Sequence, residues 1–275
     1  MVLGRRRWVP CSHRTDKGKA GHVSDISYAY SGRVVTVTGA GTGIGQATAV
    51  AFAEAGATVF LLDVDDEAGQ QAAAGVGRFL HCDVTSAEDV DAAFERITAS
   101  TGCLDVLVNN AGGFWVQRTT EDLPLEEWHR VIDLNLNAVF LTSRRAVPLL
   151  RASTAGRVVN LGSLAAQVAS YRTSPPYAAA KAGVHALTRV MAAELAADGI
   201  TVNAIAPSAV LTDRIRSVRD RQERAATAQS IPLGRYQDTE EVASWILYLA
   251  SKEAGFITGQ TISVNGGRHM AHETS

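Results

Sequence analysis

The chain alternates short β-branched and aliphatic runs with longer stretches in which apolar residues recur every three or four positions. The first run, 33–39, ends at a glycine and is followed by helical periodicity over 44–55, so the pattern reads strand, turn, helix. A second strand, 58–63, ends on Asp63. A third, 77–82, runs into Asp83 and Val84, after which Thr85, Ser86 and Glu88 form a capping pattern for a helix. Strand 106–109 leads into NNAG, and a long helix starts near Leu125 with Pro124 at its mouth and Pro148 near its end. Strand 157–161, a helix holding Tyr177, strand 201–205, a helix entered through Asp238 and Glu241, and strand 261–264 complete the series. Seven strands alternating with helices predict an α/β fold: one Rossmann-type, doubly wound parallel sheet over 32–270 with helices on both faces. Such sheets bind ligands at the carboxyl ends of their strands, where Thr38, Asp63, Asp83, Asn110, Ser163 and Pro207 fall. The long stretch 208–234 shows no clear periodicity and follows a strand end, which marks it as a substrate-lid loop.

Composition narrows the function. With 275 residues, 46% of them hydrophobic, the chain can bury a large core. Residues 1–31 hold six Lys/Arg against Asp16 and Asp25, so the formal charge of −2 leaves −6 on the remainder. That basic segment reads as a disordered tail, and Arg5-Arg6-Arg7 lacks the hydrophobic region that an export signal requires. A body without a basic field argues against nucleic acid, and no apolar run approaches the ~18 residues of a membrane span. Cys11, Cys82 and Cys103 have neither CxxC spacing nor a histidine cluster, so no disulfide framework or metal site is expected. These features suit a soluble cytoplasmic enzyme acting on small molecules.

Two motifs carry chemistry. TGAGTGIG, 38–45, sits between strand and helix, where glycines let backbone amides approach a diphosphate at the positive end of the helix. Asp63, eighteen residues beyond Gly45, stands where a carboxylate receives an adenine ribose. In YAAAK, 177–181, Tyr177 and Lys181 are about 400° apart in helical rotation and leave one face a turn apart. A phenol that exchanges protons near neutrality needs its pKa of about 10 lowered, and a neighbouring ammonium supplies part of that.

TGAGTGIG, NNAG and YAAAK, in this order and at these separations, make the chain resemble a short-chain dehydrogenase/reductase over 32–267. The closing segment 231–267 is similar to the subset related to 3-oxoacyl carrier-protein reductases. The resemblance implies that Ser163 polarises the substrate oxygen, Tyr177 exchanges its proton, Lys181 holds the nicotinamide ribose and lowers the tyrosine, and Asn135 maintains a water-linked relay. It further implies a dinucleotide lying along Gly39, Thr42, Gly43, Ile44, Gly45, Asp63, Asp83, Val84, Asn110, Ala111, Gly112, Pro207 and Thr212, together with Tyr177 and Lys181. A homotetramer is implied as well. Three departures stand out: Ser163 precedes Tyr177 by fourteen residues where thirteen is usual, Gly162 replaces a frequent serine, and Ser208 a frequent glycine.

Phe114, Trp115, Val168, Tyr171, Val210 and Leu211 are expected around the substrate and favour an apolar alcohol or ketone. Asp63 is expected to select NAD(H) over NADP(H), since a 2′-phosphate about 4 Å from a carboxylate is repelled by roughly 4 kcal/mol at an effective dielectric near 20. Val64, Asp65 and Asp66 follow it, and Thr42 occupies the glycine turn, so no nearby cation offsets the repulsion. Two other readings remain open at this level. Ser163 with Lys181 suits a Ser-Lys hydrolase but leaves the glycine turn and Tyr177 unexplained. A catalytically silent nucleotide-binding protein would keep the fold without the reaction.

Overall fold

Each expected strand forms. They are β1 (Val34–Thr38), β2 (Thr58–Asp63), β3 (Arg78–His81), β4 (Val106–Asn109), β5 (Arg157–Leu161), β6 (Thr201–Pro207) and β7 (Thr261–Val264). The computed structural model describes residues 26–168 and 173–269. Among them the strands pair in parallel in one sheet, in the order β3-β2-β1-β4-β5-β6-β7.

The strands read as continuous apolar runs because both faces are covered, and successive residues enter opposite cores. Val35, Val37, Val59, Leu61, Val106 and Val108 pack on one face with Phe52 of α1 (Gly43–Glu54), Ala72 of α2 (Asp66–Ala73) and Ile246 of the C-terminal helix Thr239–Ala250. Val34, Phe60, Leu62, Leu107 and Val158 pack on the other. Their partners are Phe94 of α3 (Ala87–Thr101), Leu150 of the helix Ala138–Arg151 and Leu195 of the helix Pro175–Leu195. Chain order reverses between β1 and β4, and the crevice that ligands of such sheets occupy opens at the carboxyl ends of those two strands.

Four local features differ from expectation. Most of the segment read as a tail, 1–25, lies outside the described residues. Tyr30 is nonetheless buried, its ring 4.8 Å from Phe52 and its hydroxyl donating to the Leu247 carbonyl at 2.5 Å, so the folded body begins before residue 32. The helix from Leu125 is not uniform: α4 (Leu125–Ile132) and α5 (Ala138–Arg151) are joined by a π-helical segment, Asp133–Asn137, which turns Asn135 fully inward. After α6 (Pro175–Leu195), the stretch 208–234 is not an irregular loop. It holds α7 (Asp213–Val218), capped by Thr212, and α8 (Arg221–Gln229), whose entry is closed by a capping box between Asp220 and Glu223; α9 (Thr239–Ala250) follows. At α3, Ser86 is the cap as expected, but the amide it accepts from is that of Asp89, and its hydroxyl reaches Asp89 at 3.2 Å as well as Glu88 at 3.4 Å.

Candidate active site

The glycine turn is built by short backbone approaches. Gly39, at φ 60°, takes a left-handed conformation, and a side chain on it would press within 2.8 Å of the Ala111 Cα. Asn110 fastens the turn from β4, its Nδ2 donating to the Thr38 and Gly39 carbonyls, both at 2.9 Å. Thr38 Oγ1 in turn accepts from the amides of Asn110 and Ala111 at 3.0 and 3.1 Å. The NNAG motif therefore ties β4 to β1 through its side chain. Val84 is buried in the core behind this junction, and Asp83 turns its Oδ1 to the Thr85 amide and hydroxyl at 2.9 and 2.7 Å.

The N-terminus of α1, with Ile44 and Gly45 in its first turn, is left open. Thr42 makes no side-chain capping bond, and no acidic residue occupies that turn. Uncapped first-turn amides at the positive end of a helix suit the diphosphate of a dinucleotide. Thr212 approaches from the far side of the cleft: the Cβ that Gly43 lacks would lie 3.4 Å from its methyl carbon. Pro207 ends β6, and Ser208, where a glycine is frequent, donates to the Asn265 carbonyl at 3.2 Å.

Asp63 does not stand free. Its Oδ2 accepts from the Gly41 amide at 2.7 Å and its Oδ1 from the Asp65 amide at 3.1 Å. The carboxylate therefore holds the glycine turn to the end of β2.

Across the crevice, Pro175 and Pro176 start α6, and Tyr177 and Lys181 follow one turn apart on its inner face. Ser163, in the first turn after β5, lowers the burial-raised pKa of the Tyr177 phenol through its hydroxyl and caps a short 3₁₀ turn by accepting from the Ala165 amide at 3.1 Å. The Phe114 ring lies 4.9 Å from the Tyr177 ring. Lys181, 2% exposed, donates from Nζ to the Leu161 carbonyl at 2.7 Å and lies 5.7 Å from the centre of the Tyr177 ring. Asn135 reaches the same place: its Nδ2 donates to the carbonyls of Gly113 at 2.7 Å and Val131 at 2.9 Å, and its Oδ1 accepts from the Gly113 amide at 2.9 Å. Gly112 lies between these groups. A Cβ there would be 2.7 Å from Asn135 Oδ1 and 3.1 Å from Lys181 Nζ.

Burial pushes the Tyr177 phenol above its ordinary value, and the Ser163 hydroxyl and the Arg214 charge pull it part of the way back. Burial also lowers the Lys181 ammonium, to about 8. Beside it, His185 fills the space a side chain on Gly162 would need, which explains the missing serine, and burial followed by the charges of Lys181 and Arg189 lowers this histidine to about 4.

The expected substrate wall assembles only in part. Phe114 and Trp115 border the cleft, and Val168 follows the 3₁₀ turn after Ser163. Val210 is buried in the core, and Leu211 faces an open groove of about 1060 Å³ between α1 and α9. Both side chains leave the site because the backbone at 209–211 pairs with Gln237. Tyr171 lies outside the described residues. One polar support went unread in the sequence. Asn109 donates to Ser143 and Asn160 at 2.9 Å, and Thr142 donates to Asn109 at 2.7 Å. The NN doublet and the polar pair at 142–143 in an apolar helix stripe were its signal.

A glycine turn facing a Ser-Tyr-Lys cluster across the β1/β4 crevice defines a dinucleotide-dependent oxidoreductase site. The family profile described as enoyl-(acyl carrier protein) reductase matches residues 39–269. The chain belongs to the short-chain dehydrogenase/reductase family, in the subset similar to 3-oxoacyl carrier-protein reductases, and is a hydride-transferring oxidoreductase. It is 38% identical over 247 residues to the 3-oxoacyl-[acyl-carrier-protein] reductase FabG of Vibrio harveyi, covering 87% of this chain and 98% of the relative. It is 35% identical over 257 residues to trans-4-hydroxycyclohexanecarboxylate dehydrogenase of Sinomonas cyclohexanicum, covering 89% and 96%. Among solved structures, the RhlG/NADP active-site complex of Pseudomonas aeruginosa superimposes with a TM-score of 0.83 at 34% identity, covering 88% of this chain and 98% of that one.

That complex overturns the expectation of NAD(H) over NADP(H). The Asp63 carboxylate accepts from two backbone amides, whose dipoles offset part of its field.

Among the described residues no helix is long and apolar enough to cross a membrane.

Proposed function

We propose that this protein transfers a hydride between NADP(H) and a small secondary alcohol or its ketone. A nicotinamide held in the crevice would supply the hydride for the carbonyl carbon or accept it in the reverse direction. The chain supplies the rest. Ser163 donates a hydrogen bond to the substrate oxygen, and Tyr177 gives that oxygen its proton as negative charge develops there; in oxidation the same proton returns to Tyr177. Lys181 is placed to hold the cofactor ribose, and Asn135 keeps the peptide at 112–113 beside the lysine. The observation carrying this reading is a Tyr177 phenol raised by burial and lowered in part by the Ser163 hydroxyl, with Lys181 one turn on, set across the crevice from an uncapped helix N-terminus. Lys181 is directed at the Leu161 carbonyl, which argues against a Ser-Lys hydrolase.

NADP(H) as cofactor is supported by the relative solved as an NADP complex, and the apolar rings of Phe114 and Trp115 suit a ketone with a hydrophobic body. We also propose a cytoplasmic homotetramer. Phe140 on α5 and Val190 on α6 stay 52% and 63% exposed, as helix faces that pair between copies would. Sedimentation as a monomer at micromolar concentration would count against it. The function is tested by following consumption of NADPH and of NADH with a panel of cyclic and acyclic ketones. Turnover favouring NADPH is the expected outcome; no turnover of any ketone, or better turnover with NADH, contradicts the reading.

A further inference from the structure

Helix α7 carries an arginine that the proposed reaction does not use. Arg214, on α7, turns back over the cleft and donates from Nη2 to the Phe114 carbonyl. Its Nη1 lies 3.0 Å from where Gly113 would carry a Cβ, so the glycine makes room for the guanidinium. Its guanidinium carbon is 6.0 Å from the centre of the Trp115 ring. The charge is felt at Tyr177, whose phenol it lowers. Arg214 therefore sits against the same short segment, 113–115, that forms the substrate side of the tyrosine.

Among the described residues, Arg130 and Arg216 face carboxylates and Arg214 does not. Arg130, stacked 4.0 Å from the Trp115 ring, bonds Glu127 through Nε at 3.0 Å, and Arg216 faces Asp213 at 3.7 Å. Among the described residues no carboxylate lies within ion-pair distance of Arg214. A guanidinium has five N–H donors in a fork that matches a carboxylate, and the Phe114 carbonyl takes only one of them.

We propose that Arg214 is a specificity-determining residue of this site and recognises a carboxylate carried by the alcohol or ketone substrate, whose apolar body rests on Phe114 and Trp115. This rests on the proposed reaction for the substrate's other end. The preferred substrates are then hydroxy acids and oxo acids with a hydrophobic middle. Arg216, two residues on and paired with Asp213, takes no part.

The test compares cyclohexanecarboxylate with cyclohexanecarboxamide, which share shape and differ in charge, by calorimetric titration of the enzyme saturated with NADP⁺. The parent is expected to bind the carboxylate at least about tenfold more tightly, as for a charge-assisted pair. Arg214→Ala should remove that preference, Arg214→Lys should keep part of it, and Arg216→Ala should keep all of it. A parent that does not discriminate overturns the proposal. So does an Arg214→Ala variant that keeps the preference or weakens both ligands equally, the mark of an arginine that only fastens α7 to the 113–115 segment. No hydride moves in this experiment, so its failure is distinct from a failure of the proposed reaction, which cofactor consumption reads.

Discussion

Tyr177 carries a phenol whose pKa burial raises. Lys181 follows it by one turn, yet the ammonium lies over the ring and bonds the Leu161 carbonyl, and burial raises the phenol. A phenol held above its ordinary value is protonated at neutral pH. It is therefore ready as an acid for carbonyl reduction and must be deprotonated before it can accept a proton from an alcohol. Reduction is predicted to stay nearly level from about pH 6 to about pH 8 and to fall only above that, while oxidation rises across the same interval. Initial rates in both directions at saturating cofactor check this. Oxidation that is independent of pH there would contradict it. Spacing could place Tyr177 and Lys181 on one face because a helix has a fixed pitch, but it could not tell where the Nζ would point. That depends on an acceptor at the end of β5, twenty residues earlier in the chain.

At the scale of elements, what was legible followed the hydrophobic period. All the strands were readable, since two covered faces demand unbroken apolar runs, and so was the helix that opens through Asp238 and Glu241. The helices α7 and α8 were not, because their sequences, DRIRSV and RQERAATAQ, carry almost no apolar stripe; their ends are set by Thr212 and by the Asp220–Glu223 box. The π segment was equally hidden, because a single widened turn leaves no mark in a three-to-four-residue pattern. Asp63 shows a similar limit at a turn. Its position pointed to a ribose, and its bonds to the amides of Gly41 and Asp65 left no mark in the sequence. Removing it should loosen the glycine turn for either cofactor. Asp63→Ala is predicted to lower NADPH and NADH affinity together, by about tenfold or more for bonds to a charged group worth about 1.5–3 kcal/mol. Equilibrium titration with both nucleotides measures this, and a variant that loses one cofactor alone would show that the carboxylate selects and does not fasten.

Across the whole molecule, the N-terminal boundary is a matter of packing rather than composition. Residues 26–31 look like the end of a polar tail, but Tyr30 sits against Phe52 and bonds the Leu247 carbonyl, linking α1 to α9. A chain starting at residue 26 is predicted to melt like the full protein. One starting at residue 32 should lose about 3–5 kcal/mol, the usual cost of emptying an aromatic site, and roughly 6–20 °C in Tm for a protein of this size. Equal melting temperatures for the two truncations would contradict the role of Tyr30. The two cores and the crevice between β1 and β4 set one phenol across from the glycine turn, where the proposed reaction needs it. The most direct measurement of that claim is a single-turnover reduction with bound NADPH, comparing the parent with Tyr177→Phe after nucleotide affinity has been measured for each. The account predicts unchanged NADPH affinity and a rate lowered by at least about 10²-fold, the lower range for loss of a general acid. A Tyr177→Phe protein that binds NADPH and reduces the ketone at the parent's rate would contradict it.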